Sequence, residues 1–115
     1  MLIDWKRIRA SIAHDATIAY KYTDGNDHCV LGGLAVDYGV PLPSGSSNTR
    51  RIDTLTVFPR KLSEATGLSE SQLFDFQVLN DNYRTVAIRR KRLILWTEAE
   101  ERGESRFPLN YGVDR

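Results

Sequence analysis

Cysteine, histidine and long apolar runs are scarce in this 115-residue sequence, and each scarcity excludes a class of protein. The single cysteine, Cys29, cannot form an intrachain disulfide. With only two histidines, His14 and His28, it cannot build a structural zinc site without several carboxylates, so we expect no metal. No apolar run approaches the roughly 18 residues that cross a bilayer, and residues 1–12 lack the apolar core of a signal peptide. We therefore expect a cytoplasmic protein that needs no cofactor and contacts no membrane.

The composition is that of an ordinary folded domain. Hydrophobic residues make up 41%, aromatic residues 10% and charged residues 27% of the chain, unlike the low hydrophobicity of disordered proteins. A chain of 115 residues fits one domain, because two separate cores would each bury too little apolar surface. We therefore predict a single domain over residues 1–115.

The charges balance overall but not along the chain. Lys and Arg number 16 and Asp and Glu 15, which gives a formal net charge of +1. Residues 50–92, however, hold nine basic and five acidic residues, a surplus of four positive charges. Such a basic middle can serve an anionic partner, although charged runs more often form a solvated face.

The N-terminal segment predicts a helix followed by an ambiguous stretch. Residues 4–13 place three apolar side chains at helical spacing: Trp5, Ile8 and Ile12. Asp4 can cap this helix by accepting hydrogen bonds from its first backbone amides. Residues 17–22 then fit either a strand or a continuation of the first helix after a break.

A second helix is predicted after a turn. The composition of residues 23–27 is typical of a turn, and either Asn26 or Asp27 can cap a helix over residues 28–38. Gly39 follows this helix, and glycine readily adopts the left-handed conformation that ends one. We therefore expect the second helix to end at this glycine.

Two irregular segments and a short helix come next. Residues 39–50 are rich in Pro, Gly and Ser, which predicts the longest flexible loop of the chain, and residues 103–115 predict an irregular tail. Residues 55–58 predict a short extended piece. Pro59 suits the first turn of a helix, which is predicted over residues 59–66.

The last helix is predicted over residues 82–102, with Asn80 and Asp81 as its caps. Because residues 93–96 are apolar on every side of a helix, a hairpin with one strand in this run and the other over residues 85–88 is the alternative. The long run of good helix formers favours the helix. The fold class predicted for the whole chain is mainly α, with four or five short helices in a single domain and room for a small β ribbon.

Cys29 is the first candidate functional residue. If Asp27 caps the second helix, Cys29 lies in the first turn, where the helix dipole lowers the pKa of a thiol. The base of a cysteine hydrolase would then have to be His14, because His28 is adjacent in sequence and faces elsewhere. The favoured interpretation is that Cys29 is a small buried residue of the core.

Two consecutive glycines, Gly32 and Gly33, lie within the same predicted helix. The pair costs the helix about 2 kcal/mol relative to two alanines, so the missing side chains should serve a purpose. We expect another helix to approach closely at this point. The alternative is contact between the exposed backbone and a ligand.

Residues 60–73 contain a short helix, a turn with glycine and a helix begun by Ser69, for which Gln72 completes a capping box; this helix runs to Asn80. The arrangement resembles the helix-turn-helix of bacterial and phage repressors, across about a fifth of the chain. The positions that match its internal pattern are Leu62, Ser63, Gly67, Leu68, Leu73 and Phe76. The DNA contacts that the resemblance implies are Arg60, Lys61, Ser69, Ser71 and Gln72.

The supposed reading helix departs from the repressor pattern. It contains Glu70, Asp75 and Asp81 and no Lys or Arg, and negative charges oppose contact with phosphates. A helical hairpin that uses the same local turn without touching DNA is therefore the favoured interpretation.

A basic cluster comprises five residues: Arg84, Arg89, Arg90, Lys91 and Arg92. Four consecutive helical residues spread over about 300° of the helix circumference, so they cannot all face one phosphate track. The favoured interpretation is a solvated face without a partner. If the cluster has a function, we expect it to lie exposed at the rim of a site and to steer an acidic protein surface or a nucleic-acid complex towards it.

A second resemblance sets the expected context. The Cys-Val-Leu-Gly-Gly-Leu helix start, the Thr-Gly-Leu-Ser turn and Leu79-Asn80-Asp81 resemble a group of small uncharacterised bacterial and phage proteins, over about half of the chain. The resemblance implies interference with a host machine or a defence complex. We therefore expect a small non-enzymatic binding or inhibitory protein with a protein partner; the alternatives are a helix-turn-helix DNA-binding regulator and, after it, a cysteine hydrolase.

Overall fold

Five α-helices and one short β ribbon make up the regular structure of the computed structural model, which describes residues 2–19, 22–24, 26–42 and 57–104. In chain order the elements are α1 (Trp5–His14), β1 (Thr23–Asp24), β2 (Asp27–His28), α2 (Val30–Tyr38), α3 (Val57–Thr66), α4 (Glu70–Asn82) and α5 (Val86–Glu101). The predicted mainly α-helical fold with a small ribbon is therefore confirmed. Most of the predicted loop, the tail beyond residue 104 and the start of the extended piece lie outside the described residues.

The first helix, α1, begins as the sequence predicts. The Asp4 carboxylate caps it by accepting the backbone N–H of Arg7 at 3.0 Å. Ile8 and Ile12 are completely buried and belong to the core. The Arg7 guanidinium also forms an ion pair with Asp37 at 2.7 Å, which fastens α1 to α2.

The β ribbon lies between α1 and α2, where the sequence predicts only a turn over residues 23–27. Its strands pair antiparallel, with Thr23 opposite His28. The chain leaves α1 through Ala16, whose left-handed φ of 61° ends the helix. The described residues that follow form neither a strand nor a longer α1, so both predictions for residues 17–22 are wrong there.

The second helix starts later than predicted and has a different cap. Because residues 27 and 28 are paired in the ribbon, neither Asn26 nor Asp27 can cap α2, and Cys29 takes that position. Its sulfur accepts the backbone N–H of Gly32 at 3.4 Å. The helix ends at Gly39, which has the expected left-handed φ of 70°.

The third helix begins earlier than predicted. Val57 and Phe58 form its first residues and not an extended piece. Pro59 still lies in the first turn, where its missing N–H costs no helical hydrogen bond. The ring of Phe58 is buried and packs against the ring of Tyr22 with 4.8 Å between centroids, which favours the helical position over an exposed strand.

The break between the fourth and fifth helices lies a few residues later than the sequence predicts. The capping box of α4 is confirmed, since Ser69 Oγ accepts Gln72 N at 3.0 Å and Gln72 Oε1 accepts Ser69 N at 2.8 Å. The helix then continues through Asn80 and Asp81, so these residues do not cap the next one. Instead Thr85 precedes α5, which is one helix and not a hairpin.

The last helix, α5, packs against both α1 and α4 and contributes Leu93 and Trp96 to the core. The ring of Trp96 stacks on that of Phe76 with 4.5 Å between centroids, and Trp5 meets Trp96 edge-on at 6.3 Å. These aromatic contacts join the first, fourth and fifth helices. They fix which sides of α4 and α5 face outwards and are available to a partner.

Candidate functional site

The predicted partner-binding cluster contains a buried arginine. Arg89 is only 4% exposed. Its Nε and Nη2 donate to the carbonyl of Tyr83 at 3.1 and 2.7 Å, and its Nη1 donates to the carbonyl of Ala16 at 2.8 Å. The expectation that Arg89 lies exposed at a rim is therefore wrong, because the folded chain uses its guanidinium to satisfy main-chain oxygens in the interior.

The next residue, Arg90, is also engaged within the fold. It is half-buried, and it donates from Nε to the carbonyl of Asp15 at 3.0 Å and from Nη2 to the carbonyl of His14 at 3.1 Å. A cation at the C-terminus of a helix is favourable because the helix dipole is negative there. Arg89 and Arg90 thus hold the end of α1 and the residues that follow it.

The other members of the cluster lie at the surface. Arg84 and Lys91 are exposed, and neither makes a hydrogen bond or an ion pair with any part of the chain that the structure describes. Arg92 is half-buried. Contact between these residues and a partner stays a prediction, and the exposed charge available for it is smaller than the sequence indicates.

A polar cleft lies at the junction of α4 and α5. It has a volume of about 960 Å³, and its lining includes Asp81, Arg84, Thr85 and Arg89. Two of the five predicted partner-binding residues therefore meet here. The lining carries charges of both signs, and the Arg89 guanidinium is bonded to main-chain carbonyls, so the cleft offers little free positive charge for an anionic ligand.

Cys29 is wholly buried, as its favoured interpretation predicts. Burial raises the pKa of the Cys29 thiol to about 12 and outweighs the hydrogen bond from Gly32, so the predicted lowering of this pKa is wrong. His14 is exposed on α1, and the Nδ1 of His28 lies 3.6 Å from a carboxylate oxygen of Asp15. A protonated, enclosed thiol does not favour the cysteine hydrolase.

We expect Cys29 to react slowly with a disulfide reagent at pH 7 in the native protein and rapidly once the chain is unfolded in urea. A thiol with a pKa of about 12 forms almost no thiolate at this pH, and burial also blocks the reagent. The rate can be followed by the absorbance of the released thiolate, with glutathione as the reference. Native labelling faster than that of glutathione would restore the hydrolase hypothesis.

Asn80 is a buried polar residue that the sequence analysis predicted as a cap of the last helix. It is completely buried in α4, and its Oδ1 accepts the backbone N–H of Val30 at 3.0 Å. Its Nδ2 donates to the carbonyl of Ile18 and to the carboxylate of Asp81, both at 3.0 Å. Asn80 therefore helps to cap α2 from a distance, and it does not start α5.

The glycine pair allows a close approach, but not by another helix. A Cβ on Gly32 would overlap the carbonyl oxygen of Tyr22, and a Cβ on Gly33 would lie 2.5 Å from the side chain of Asp15. Both neighbours belong to the segment that joins α1 to α2. The close approach of that segment accounts for the glycine pair, and contact with a ligand stays a prediction.

The helix-turn-helix-like segment packs as a hairpin. Four of its predicted internal positions are completely buried: Leu62, Leu68, Leu73 and Phe76. The hydroxyl of Ser63 donates to the carbonyl of Leu68 at 2.6 Å, and Gly67 has a left-handed φ of 83° in the turn. The pattern in the sequence therefore describes the packing of α3 on α4.

Of the five residues predicted to contact DNA, four lie at the surface and one packs partly within the fold. Four of them are exposed: Arg60, Lys61, Ser69 and Ser71. Gln72 is half-buried, and besides its capping bond it donates to Glu100 of α5 at 3.5 Å. A role for these residues on DNA stays a prediction.

The outward side of α4, opposite its buried residues, carries a surface that the sequence interpretation missed. We call it the α4 surface, and it consists of Glu70, Ser71, Phe74, Asp75 and Val78. Phe74 is 52% exposed, and partial burial raises the pKa of the Asp75 carboxyl. The helical spacing of the buried residues was the available signal, because it places Phe74 on the opposite side.

Comparison with known proteins provides no relative. No protein-family model, curated protein or solved structure matches the chain. Within the described ranges, no three His, Cys, Asp or Glu side chains are grouped to hold a metal ion. No helix in those ranges has both the length and the apolar character to cross a membrane.

Proposed function

We propose that this chain is a small non-enzymatic binding protein that engages a protein partner through the α4 surface. The observation that carries the proposal is Phe74, which is 52% exposed in the middle of α4. Val78, half-buried one turn further on, enlarges the apolar area. Aromatic side chains of this kind supply much of the binding energy at protein interfaces, because a partner removes them from water.

We assign an inhibitory role to this binding. In this proposal the chain acts by occupying a surface of its partner and not by catalysis. The resemblance of the helix starts to small bacterial and phage proteins suggests the setting, in which the partner belongs to a host machine or a defence complex.

We also propose a function for the members of the basic cluster that lie at the surface: Arg84, Lys91 and Arg92. Arg84 and Lys91 are exposed, and Arg90 and Arg92 are half-buried beside them. Exposed charges act over a distance of about 8 Å at physiological salt, so they influence the association rate more than the stability of the complex. We propose that they steer an acidic region of the partner.

The DNA-binding alternative would use the same helix, and we expect it to fail. Because α4 presents Glu70 and Asp75 and has no Lys or Arg, we expect duplex binding no tighter than roughly 10⁻⁴ to 10⁻⁶ M, the non-specific range at physiological salt. Fluorescence anisotropy of a labelled duplex measures this. A sequence-specific complex that survives physiological salt and is lost in Gln72→Ala would put the DNA regulator first.

Photocrosslinking in the native host tests the proposal directly. A photoreactive phenylalanine analogue replaces Phe74, Lys91 or Val36, one position at a time. Val36 on α2 is the control, because it is 56% exposed but lines a different cleft, with Arg7 and Asp37. We expect a discrete crosslinked protein from position 74 and none from position 36. If no position yields a discrete protein adduct, the chain has no protein partner there and the proposal is wrong.

A further inference from the structure

The geometry of the α4 surface restricts what can bind it. Glu70, Phe74 and Val78 follow each other at intervals of four residues, so they form one row along the helix, and Asp75 lies beside this row. The row is about 12 Å long, because each helical residue rises about 1.5 Å. A segment of about two helical turns is enough to cover it.

The charges that α4 itself places beside Phe74 and Val78 are all negative. Glu70 precedes Phe74 by one turn, and Asp75 flanks it; neither carboxylate makes an ion pair within the described residues. No Lys or Arg occurs between Ser69 and Asn82. The apolar centre of the α4 surface is therefore bordered by negative charge that nothing else on α4 neutralises.

The environment of Asp75 also favours a positively charged partner. It is partly desolvated, which raises the pKa of its carboxyl, and no compensating cation contributes to that pKa. A partner cation placed beside this carboxylate would gain a charge-assisted hydrogen bond at a site that has already lost part of its water. The free protein thus holds an incompletely satisfied acid next to its exposed aromatic ring.

We infer that the α4 surface binds a short basic segment of the partner protein, with an apolar side chain against Phe74 and Val78 and Lys or Arg side chains on Glu70 and Asp75. The inference rests on the proposed function and adds the chemistry of the partner. A symmetric contact between two copies of this surface would bring like charges together. A nucleic acid would place phosphates against the same carboxylates. Charge complementarity therefore favours a basic peptide segment over both.

Selection of peptides tests this inference without knowledge of the partner. The full-length protein is immobilised, and a phage-displayed library of short random peptides is selected on it, with the Phe74→Ala protein as the counter-selection. We expect the enriched peptides to have a net positive charge and at least one large apolar residue. The most enriched peptide is then synthesised with a fluorescent label, and its affinity is measured by anisotropy.

Matched variants locate the binding and its charge. Truncating an aromatic anchor commonly weakens binding by roughly tenfold or more, so Phe74→Ala should lose at least that factor, whereas Val36→Ala should bind like the wild type. The double change Glu70→Lys and Asp75→Lys should also abolish binding, whereas Glu64→Lys, at an exposed acid of α3, should reduce it little. All variants change exposed or half-buried side chains, and circular dichroism checks their helix content.

The possible outcomes separate the inference from the proposed function. Enrichment of acidic or uncharged peptides, no enrichment, or equal binding to Phe74→Ala would overturn the inference. Concentration-dependent sedimentation of the free protein that disappears in Phe74→Ala would identify a second copy as the occupant instead. In any of these cases a discrete crosslink from position 74 to a different protein of the host would still support a protein partner at the α4 surface, but one that does not present a basic segment.

Discussion

Replacing Gly32 by alanine is expected to destabilise the protein by about 3 kcal/mol or more, although alanine is the better helix former. The added Cβ would overlap the carbonyl oxygen of Tyr22, which also accepts the backbone N–H of Cys29 at 3.2 Å. Relief of the overlap requires a backbone shift, and this shift would disturb the cap of α2. The free energy of unfolding in urea measures the loss.

Gly33→Ala is the matched control for this experiment. Its Cβ would meet the side chain of Asp15 and not a backbone atom, and a side chain can move more cheaply. We therefore expect Gly33→Ala to be clearly less destabilising than Gly32→Ala. Equal stability of Gly32→Ala and the wild type would show that the segment before α2 does not approach the helix as closely as described.

Arg89→Met is expected to lower the free energy of unfolding by about 3 kcal/mol, because it leaves two buried carbonyl groups without their charged donor. One carbonyl belongs to Tyr83, just before α5, and the other belongs to Ala16, just after α1. Urea unfolding, followed by circular dichroism, gives the value. Helix content under native conditions shows whether the variant still folds.

Two neighbouring variants provide the comparison for Arg89. Lys91→Met changes an exposed residue of the same helix and should alter stability by no more than about 0.5 kcal/mol. Arg90→Met should fall between the two, because Arg90 is half-buried and bonds to carbonyls nearer the surface. If Arg89→Met is as stable as Lys91→Met, the hydrogen bonds of Arg89 do not stabilise the fold, and the basic cluster is only a solvated surface.

The features that the sequence predicts well depend on few neighbouring residues. Asp4 caps α1, Gly39 ends α2, and Ser69 with Gln72 forms the capping box of α4, all within a single turn. Such signals involve hydrogen bonds over three or four positions, so they hold wherever no distant part of the chain competes for the same groups. The helical hairpin of α3 and α4 was predictable for the same reason.

The features that the sequence did not predict depend on distant parts of the chain. Cys29 becomes a cap because the ribbon takes Asp27, and Asn80 serves α2 and not its own helix boundary. Arg89 is buried because carbonyl groups far away in sequence need its donors. Periodicity reports which residue types recur, but it does not report which main-chain oxygens are left for a side chain to satisfy.

The candidate site was only partly predictable. The exposure of Arg84 and Lys91 agrees with their charge. Phe74 was overlooked because an aromatic residue next to a buried apolar row is easily counted with that row. Its angular position on α4 would have separated it from Leu73 and Phe76, which are both completely buried.

The bonds from α5 to the end of α1 also bear on how the chain folds. Arg89 and Arg90 reach back 73 to 76 positions in sequence, from the fifth helix to the first. Contacts of such long range lower the folding rate, since a large loop must close before they form. An N-terminal fragment that stops before α5 lacks the donors for these carbonyls and the tryptophan that packs on α1. Folding is therefore expected to be one cooperative transition that completes only when the fifth helix is in place.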